Sequence, residues 1–257
     1  MSHLPDVSLV IPCYNEEKAL PLSIPPLIDV FHKERIRLEL VLVDNGSQDQ
    51  TSQVIEKFVE QGLPVIKSIV PVNLGFGHGI LTGFTKCTGR YVGYLCADGQ
   101  VKPEDVVRIY RAAATFNAPG IAKVRRRFRQ DSWIRKINSV IYNALMLILF
   151  PGISTLDVNG NPRIMTAETL KLIDPSSQDW FIDAEIMLKA RYLKLPIIEI
   201  NVPGQLRRAG KSNVKVVTDF EFIKNIWKWR IGKGCSSWFE TVNKKHYQES
   251  IAANKFL

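Results

Sequence analysis

Four short apolar runs, each closed by polar or turn residues and separated by stretches of helical character, limit what this chain can fold into. Val7 to Ile11 and Leu38 to Val43 are rich in Val, Leu and Ile, and Val65 to Val70 and Arg90 to Ala97 repeat the pattern. Runs of this length and composition read as buried parallel strands. The first two flank a helical stretch, Glu16 to Lys33, whose Pro21, Pro25 and Pro26 predict a late start or an early break. An amphipathic segment follows from Ser52 to Gln61, and the run from Asn73 to Gly79 opens a helix expected to reach Lys86. The alternation predicts an α/β fold with a single, mostly parallel, Rossmann-like sheet flanked by helices. Ligands of such sheets bind beyond the carboxyl ends of the strands. Three polar clusters sit there: Pro12 to Glu17, Asp44 to Thr51, and Asp98 to Gln100.

The second half differs in charge. Seven basic residues against one acid, Asp131, fill Lys123 to Lys136, and an apolar, helix-like run continues to Phe150. A second cluster, Arg207, Arg208, Lys211 and Lys215, follows the strand-like Ile197 to Val202. With 34 Lys and Arg against 25 Asp and Glu the net charge is +9, which points to nucleic acid, an anionic membrane surface or phosphorylated substrates as partners. No nucleic-acid motif or basic-aromatic platform accompanies the charge, which leaves that class the weakest. At 257 residues and roughly 150 residues per domain, one large domain is expected over residues 1–230, with a C-terminal extension over 231–257. The four cysteines form no CxxC pair and have no nearby His, so neither a zinc site nor a disulfide framework is expected. The N-terminal residues do not read as a secretion signal, so a cytoplasmic location is expected. Val140 to Phe150 is about half of the ~20 residues that cross a bilayer, so no transmembrane segment is expected.

Two of the clusters suggest chemistry and also admit a plainer reading. Asp44 follows a strand directly, where a carboxylate can accept from a ribose or base edge, yet Val43 to Thr51 is also good turn and capping sequence. Asp98 and Gln100 are an i, i+2 pair of oxygen ligands that suits Mg²⁺ or Mn²⁺ against a diphosphate, while Asp98-Gly99 is a common turn dipeptide.

Order and spacing add what the single motifs lack. IPCYNEE at 11–17, VDNGSQDQT at 43–51, NLGFGHG at 73–79 and CADGQ at 96–100 resemble the family 2 glycosyltransferases of GT-A fold. Within them the chain is similar to the polyprenol-phosphate sugar synthases, such as the dolichol-phosphate mannose synthases. RRFRQDSWIRK at 126–136, DVNGNPRI at 157–164, WFIDAEI at 180–186 and RRAGKSN at 207–213 extend the resemblance to about residue 220.

The resemblance implies that Pro12, Tyr14, Glu16, Leu42 and Asp44 hold the base and ribose of a nucleotide sugar, and that Ala97 and Asp98 line the diphosphate. Asp98 and Gln100 would hold the Mg²⁺ or Mn²⁺ cofactor. Arg126, Arg129 and Ser212 would meet the acceptor phosphate, and Asp98, Arg126 and Arg207 would carry catalysis. Two positions depart from the family: Cys96 replaces a usual Asp near the metal, and Asn213 replaces a basic residue that Lys211 is placed to substitute. A thiol prefers softer ions than Mg²⁺.

The implied reaction moves a sugar, with inversion, from a GDP- or UDP-sugar to a dolichyl or undecaprenyl phosphate. The phosphate is already anionic and needs no general base. Asp183 is the candidate base if the acceptor is instead a sugar hydroxyl in polysaccharide or glycolipid synthesis; otherwise it stabilises a loop or caps a helix. A catalytically inactive nucleotide-sugar-binding protein is a further alternative, suggested by Cys96. A lipid acceptor together with the basic run predicts peripheral attachment to the cytoplasmic face of a membrane.

Overall fold

The structure is a computed structural model that describes residues 4–127, 133–153, 155–203, 225–227, 229, 238 and 240. A single seven-stranded sheet organises the chain, in the order β3-β2-β1-β4-β6-β5-β7. β1 (Val7–Cys13), β2 (Leu38–Asn45), β3 (Val65–Val70) and β4 (Tyr91–Tyr94) pair in parallel. β6 (Arg163–Thr166) runs antiparallel between β4 and β5 (Ile121–Arg127), and β7 (Ile197–Pro203) completes the sheet parallel to β5. The expected strands are all present, the fourth ending at Tyr94, where the chain peels off the sheet into the Leu95–Gln100 turn.

Alternation along the strands sends side chains into two cores. Leu9, Ile11, Leu40 and Leu42 face one side, where α1 (Leu20–Lys33), α2 (Thr51–Glu60) and α4 (Pro103–Ala114) bury Phe31, Ile55 and Ile109. Val10, Val41, Val43 and Tyr94 face the other, against α3 (Phe76–Phe84), α5 (Trp133–Leu149), α6 (Ala167–Ile173) and α7 (Ile182–Tyr192). Each strand carries apolar side chains on both faces, as a strand covered on both sides must.

α1 starts late, at Leu20 instead of Glu16, as one of the two alternatives has it, and the prolines inside it do not break it. Pro21 sits in the first turn, where its missing N–H is no loss, but Pro25 and Pro26 lie inside and forgo two ladder bonds. Ser23 Oγ donates to the Ala19 carbonyl at 3.0 Å, and Leu20, Ile24, Leu27 and Phe31 bury one face of the helix. Tertiary burial thus outweighs local propensity. α3 is shorter than expected at both ends, starting after Gly75 and capped at Thr85. The expected boundary near residue 230 falls outside the described residues.

Candidate active site

The carboxyl ends of β1, β2 and β4 meet along one edge of the sheet. Cys13 pairs with Asp44 and Val10 with Tyr94, so the loops after these strands are neighbours. The first two are stitched together. The backbone N–H groups of Asn15, Glu16 and Glu17 donate to Ser47 Oγ, Thr51 Oγ1 and Asp49 Oδ2 at 3.1, 2.8 and 3.2 Å. In return, Gln48 N donates to Asn15 Oδ1 and Gln50 N to Glu17 Oε2. Gly46, at φ +72°, lets the turn pass where a Cβ would stand 2.6 Å from Asn73 N. The turn reading of Val43 to Thr51 is what the contacts display: Asp44, a buried carboxylate at the carboxyl edge of the sheet, accepts from Ser47 N at 3.0 Å. Pro12, Tyr14 and Glu16 lie half-buried beside it. Leu42 is fully buried in the core, so it can shape this edge but offers a ligand no surface.

The third loop borders a cleft lined by Cys96, Ala97, Asp98, Gln100, Arg126 and Asn161, with α1 contributing Ile24 and Leu27. Asp98 is 5% exposed, and its Oδ1 accepts from Gln100 N at 3.1 Å, which locks the turn. Among the described residues no group of three His, Cys, Asp or Glu side chains gathers as a closed metal site. One carboxylate and one amide oxygen at a cleft wall still fit Mg²⁺ or Mn²⁺, which typically take one or two carboxylates and leave the remaining positions to substrate phosphates and water. Cys96 lines the same wall but is a poor match for such hard ions.

Arg126 faces this loop from the far half of the sheet. Its Nε and Nη2 donate to Asp157 Oδ2 and Oδ1 at 2.9 and 2.8 Å, and its backbone N–H to Oδ2 at 3.0 Å. Burial would lift the Asp157 carboxyl, but the Arg126 guanidinium and the Lys123 ammonium hold it well below the usual range. Lys123 is fully buried beneath residues 155–160 and donates to Thr155 Oγ1, to the Asp157 carbonyl and to Glu199 Oε1. Burial, aided by the Arg163 charge, pushes its pKa down to about 8 against the pull of Asp157 and Glu199.

Asp183 lies in the first turn of α7, where Phe181 is the N-cap residue, so it is no cap. It accepts from Tyr94 Oη at 2.5 Å and from Asn161 Nδ2 at 3.2 Å, and it pairs with Arg163 at 3.1 Å. Arg163 is fully buried, and its remaining bonds go to the Asp183 and Val158 carbonyls. Burial keeps the Tyr94 hydroxyl protonated and hence a donor. These contacts tie the first turn of α7 to β4 and to Asn161 and Arg163.

A protein-family model described as glycosyl transferase family 2 matches residues 8–171, which takes in all three ligand-edge loops, Arg126 and Asp157. The chain belongs to that family. Among curated proteins it is 37% identical over 141 residues to an undecaprenyl-phosphate 4-deoxy-4-formamido-L-arabinose transferase of Proteus mirabilis, over 54% of this chain and 43% of that one. The chain thus spans less than half the length of the curated relatives it matches first. A dolichyl-phosphate beta-glucosyltransferase of Dictyostelium discoideum is 25% identical over 86% of this chain and 76% of its own. Of solved structures, the glucosyl-3-phosphoglycerate synthase of Mycobacterium tuberculosis, crystallised with Mn²⁺ and UDP, superposes with a TM-score of 0.65 at 18% identity. That match covers 86% of this chain and 77% of that one. The fold is GT-A.

In this family 2 chain the structure brings Asp98, Gln100, Ala97 and Arg126, each singled out from the sequence, to one cleft, with Asp44 and its neighbours along the same sheet edge. Arg129, Arg207, Ser212, Lys211 and Asn213 lie outside the described residues. Sequence reasoning gave no role to Lys123, Asp157, Asn161 or Arg163. Three of these stand in the quoted DVNGNPRI motif, where an Asp, two Asn and an Arg inside seven residues were the available signal. Glu185, also unassigned, accepts from Ser176 N and Oγ, Ser177 N and Lys189 Nζ. It thereby fixes the segment against which Gly75 and Gly77 of the third family motif pack without room for a Cβ.

Proposed function

We propose that this chain is an inverting glycosyltransferase that moves a sugar from a UDP- or GDP-sugar to a polyprenyl phosphate. The observation that carries the reading is one cleft with a carboxylate, Asp98, on one wall and a guanidinium, Arg126, among its lining residues. The first suits the metal-bound diphosphate of the donor, and the second the phosphate of the acceptor. The names of the relatives, which act on undecaprenyl and dolichyl phosphates, support the acceptor class.

Asp98 and Gln100 would hold the Mg²⁺ or Mn²⁺, whose charge would offset that of the departing nucleoside diphosphate. Asp44, with Pro12, Tyr14 and Glu16, would accept from and pack against the base and ribose. Arg126 would orient the acceptor so that one phosphate oxygen approaches the anomeric carbon opposite the departing diphosphate oxygen. The new C–O bond forms as the old one breaks, and the configuration inverts. The nucleophile is anionic at neutral pH, so positioning and charge neutralisation supply the catalysis. The engagement of Asp183 by Tyr94, Asn161 and Arg163 favours this acceptor over a neutral hydroxyl, which needs a base.

The acceptor lipid would be met at a membrane surface. α5 exposes Val140, Ile141, Leu145, Leu147 and Ile148 on one face and buries Met146 on the other. No helix among the described residues is long and apolar enough to cross a membrane. With the basic run preceding it in sequence, this face supports peripheral attachment to the anionic cytoplasmic leaflet.

The test is incubation with a panel of radiolabelled UDP- and GDP-sugars, Mg²⁺ or Mn²⁺, and undecaprenyl or dolichyl phosphate. Label moving into the organic phase is expected. Label found only in water-soluble polymer contradicts the lipid acceptor, and binding without any transfer contradicts the enzyme.

A further inference from the structure

The guanidinium given to the acceptor phosphate is already held by a carboxylate. Every hydrogen bond of Arg126 to a described side chain goes to Asp157, and together they use its backbone N–H, Nε and Nη2. Among the described residues Nη1 has no hydrogen-bond partner, which leaves that edge of the fork for an anion in the cleft that Arg126 lines, and the side chain is 21% exposed.

Asp157 is itself fixed. Its carbonyl accepts from the buried Lys123 ammonium and from Gly160 N at 2.9 Å. The loop comes so close to β5 that a Cβ on Gly160 would stand 2.1 Å from the Val124 carbonyl. Val158 N donates to Asn143 Oδ1 at 2.9 Å, and Glu199 accepts from Thr155 and from Leu156 N. A carboxylate on so constrained a backbone sets the plane of the guanidinium it grips, because bidentate pairing is planar.

We propose that Asp157 is a positioning residue that clamps one edge of Arg126 so that the other is aimed at the acceptor phosphate. The role rests on the proposed function and goes beyond it. Holding the fork in advance removes the rotamer freedom that Arg126 would otherwise lose on binding. A carboxylate so near an incoming phosphate also repels it, so two effects of opposite sign compete. Orientation is the larger in this assignment, because the pair stays together on binding.

The test uses the full chain and two readouts: equilibrium binding of farnesyl phosphate, and transfer from the labelled nucleotide sugar to undecaprenyl phosphate. Asp157→Asn is expected to raise the farnesyl phosphate Kd and the acceptor KM about tenfold, while the KM for the nucleotide sugar stays within about twofold. Arg126→Ala is expected to weaken acceptor binding as much or more. Adding Asp157→Asn to it should cause no further loss, since a residue that acts through another is silent once that one is gone. If Asp157→Asn does not fold, Asp157→Glu carries the same test, its longer arm shifting the fork and raising the acceptor Kd several-fold.

Additive losses in the double variant mark a merely structural role and overturn the proposal. Unchanged or tighter binding of farnesyl phosphate by the Asp157 variant, as expected of a carboxylate that only competes with the phosphate, overturns it too. In both cases transfer by the unaltered protein leaves the proposed function standing. An unaltered protein that neither binds the lipid phosphate nor transfers to it overturns the acceptor class and this role together.

Discussion

Asp183 is tied to Tyr94, Asn161 and Arg163 in a buried network. Asp183→Asn leaves the Arg163 guanidinium without its counter-charge, a class of change that costs roughly 3–5 kcal/mol. A clear fall in melting temperature is expected, with kcat of the folded fraction reduced less than about tenfold. Loss of several orders of magnitude in kcat in a folded variant would mark Asp183 as a base and a hydroxyl as the acceptor. Asp157 and Glu185 both have lowered carboxyl pKa values, burial being outweighed by Arg126 in one case and by Lys189 in the other. Their stabilisation is fully present above the unfolded value of about 4 and is lost as pH falls below it. Denaturant titrations between pH 6 and pH 3 should show this loss, and Asp157→Asn should flatten it while lowering stability at pH 6. At this scale sequence reasoning reached residues whose neighbours in the chain define a motif, such as Asp98 and Gln100. It missed Lys123 and Arg163 as partners, because their ligands, Glu199 and Asp183, are supplied by the fold from 76 and 20 residues away.

Helix α5 presents its apolar face outward at Val140, Ile141, Leu145 and Ile148, 68%, 51%, 38% and 72% exposed. Surfaces of this kind mark partner or membrane contact. Ile141→Glu with Ile148→Glu is expected to lower binding to phosphatidylglycerol vesicles at least tenfold, with the melting temperature unchanged because neither side chain is buried. Vesicle sedimentation checks this; equal binding would remove α5 from the membrane contact. The helix itself was legible from its apolar spacing, but which face it buries was not, since Tyr142 and Met146 make the side opposite Ile141 and Ile148 apolar too. For α1 the prolines argued for a late start or an early break: the helix does start late, at Leu20, and it is not broken, because burial of Leu20, Ile24, Leu27 and Phe31 prevails over Pro25 and Pro26.

The molecule as a whole is a mixed sheet with all three ligand-edge loops at the carboxyl ends of parallel strands. That much followed from alternation alone, because a buried parallel strand needs a crossover and a crossover needs a helix. The antiparallel insertion of β6 did not, since Arg163 and Thr166 make so short a strand look like loop. The net charge of +9 is concentrated along the sequence: residues 123–136 and 207–215 supply eleven of the 34 basic residues, in stretches that the family resemblance leads one to expect at phosphate groups. The stereochemical course tests the central claim most directly. With an α-linked nucleotide sugar and undecaprenyl phosphate, NMR of the lipid product should show a β-linked sugar joined to the phosphate oxygen. An α-linked product, or a sugar joined to a hydroxyl, would contradict in-line displacement by a lipid phosphate.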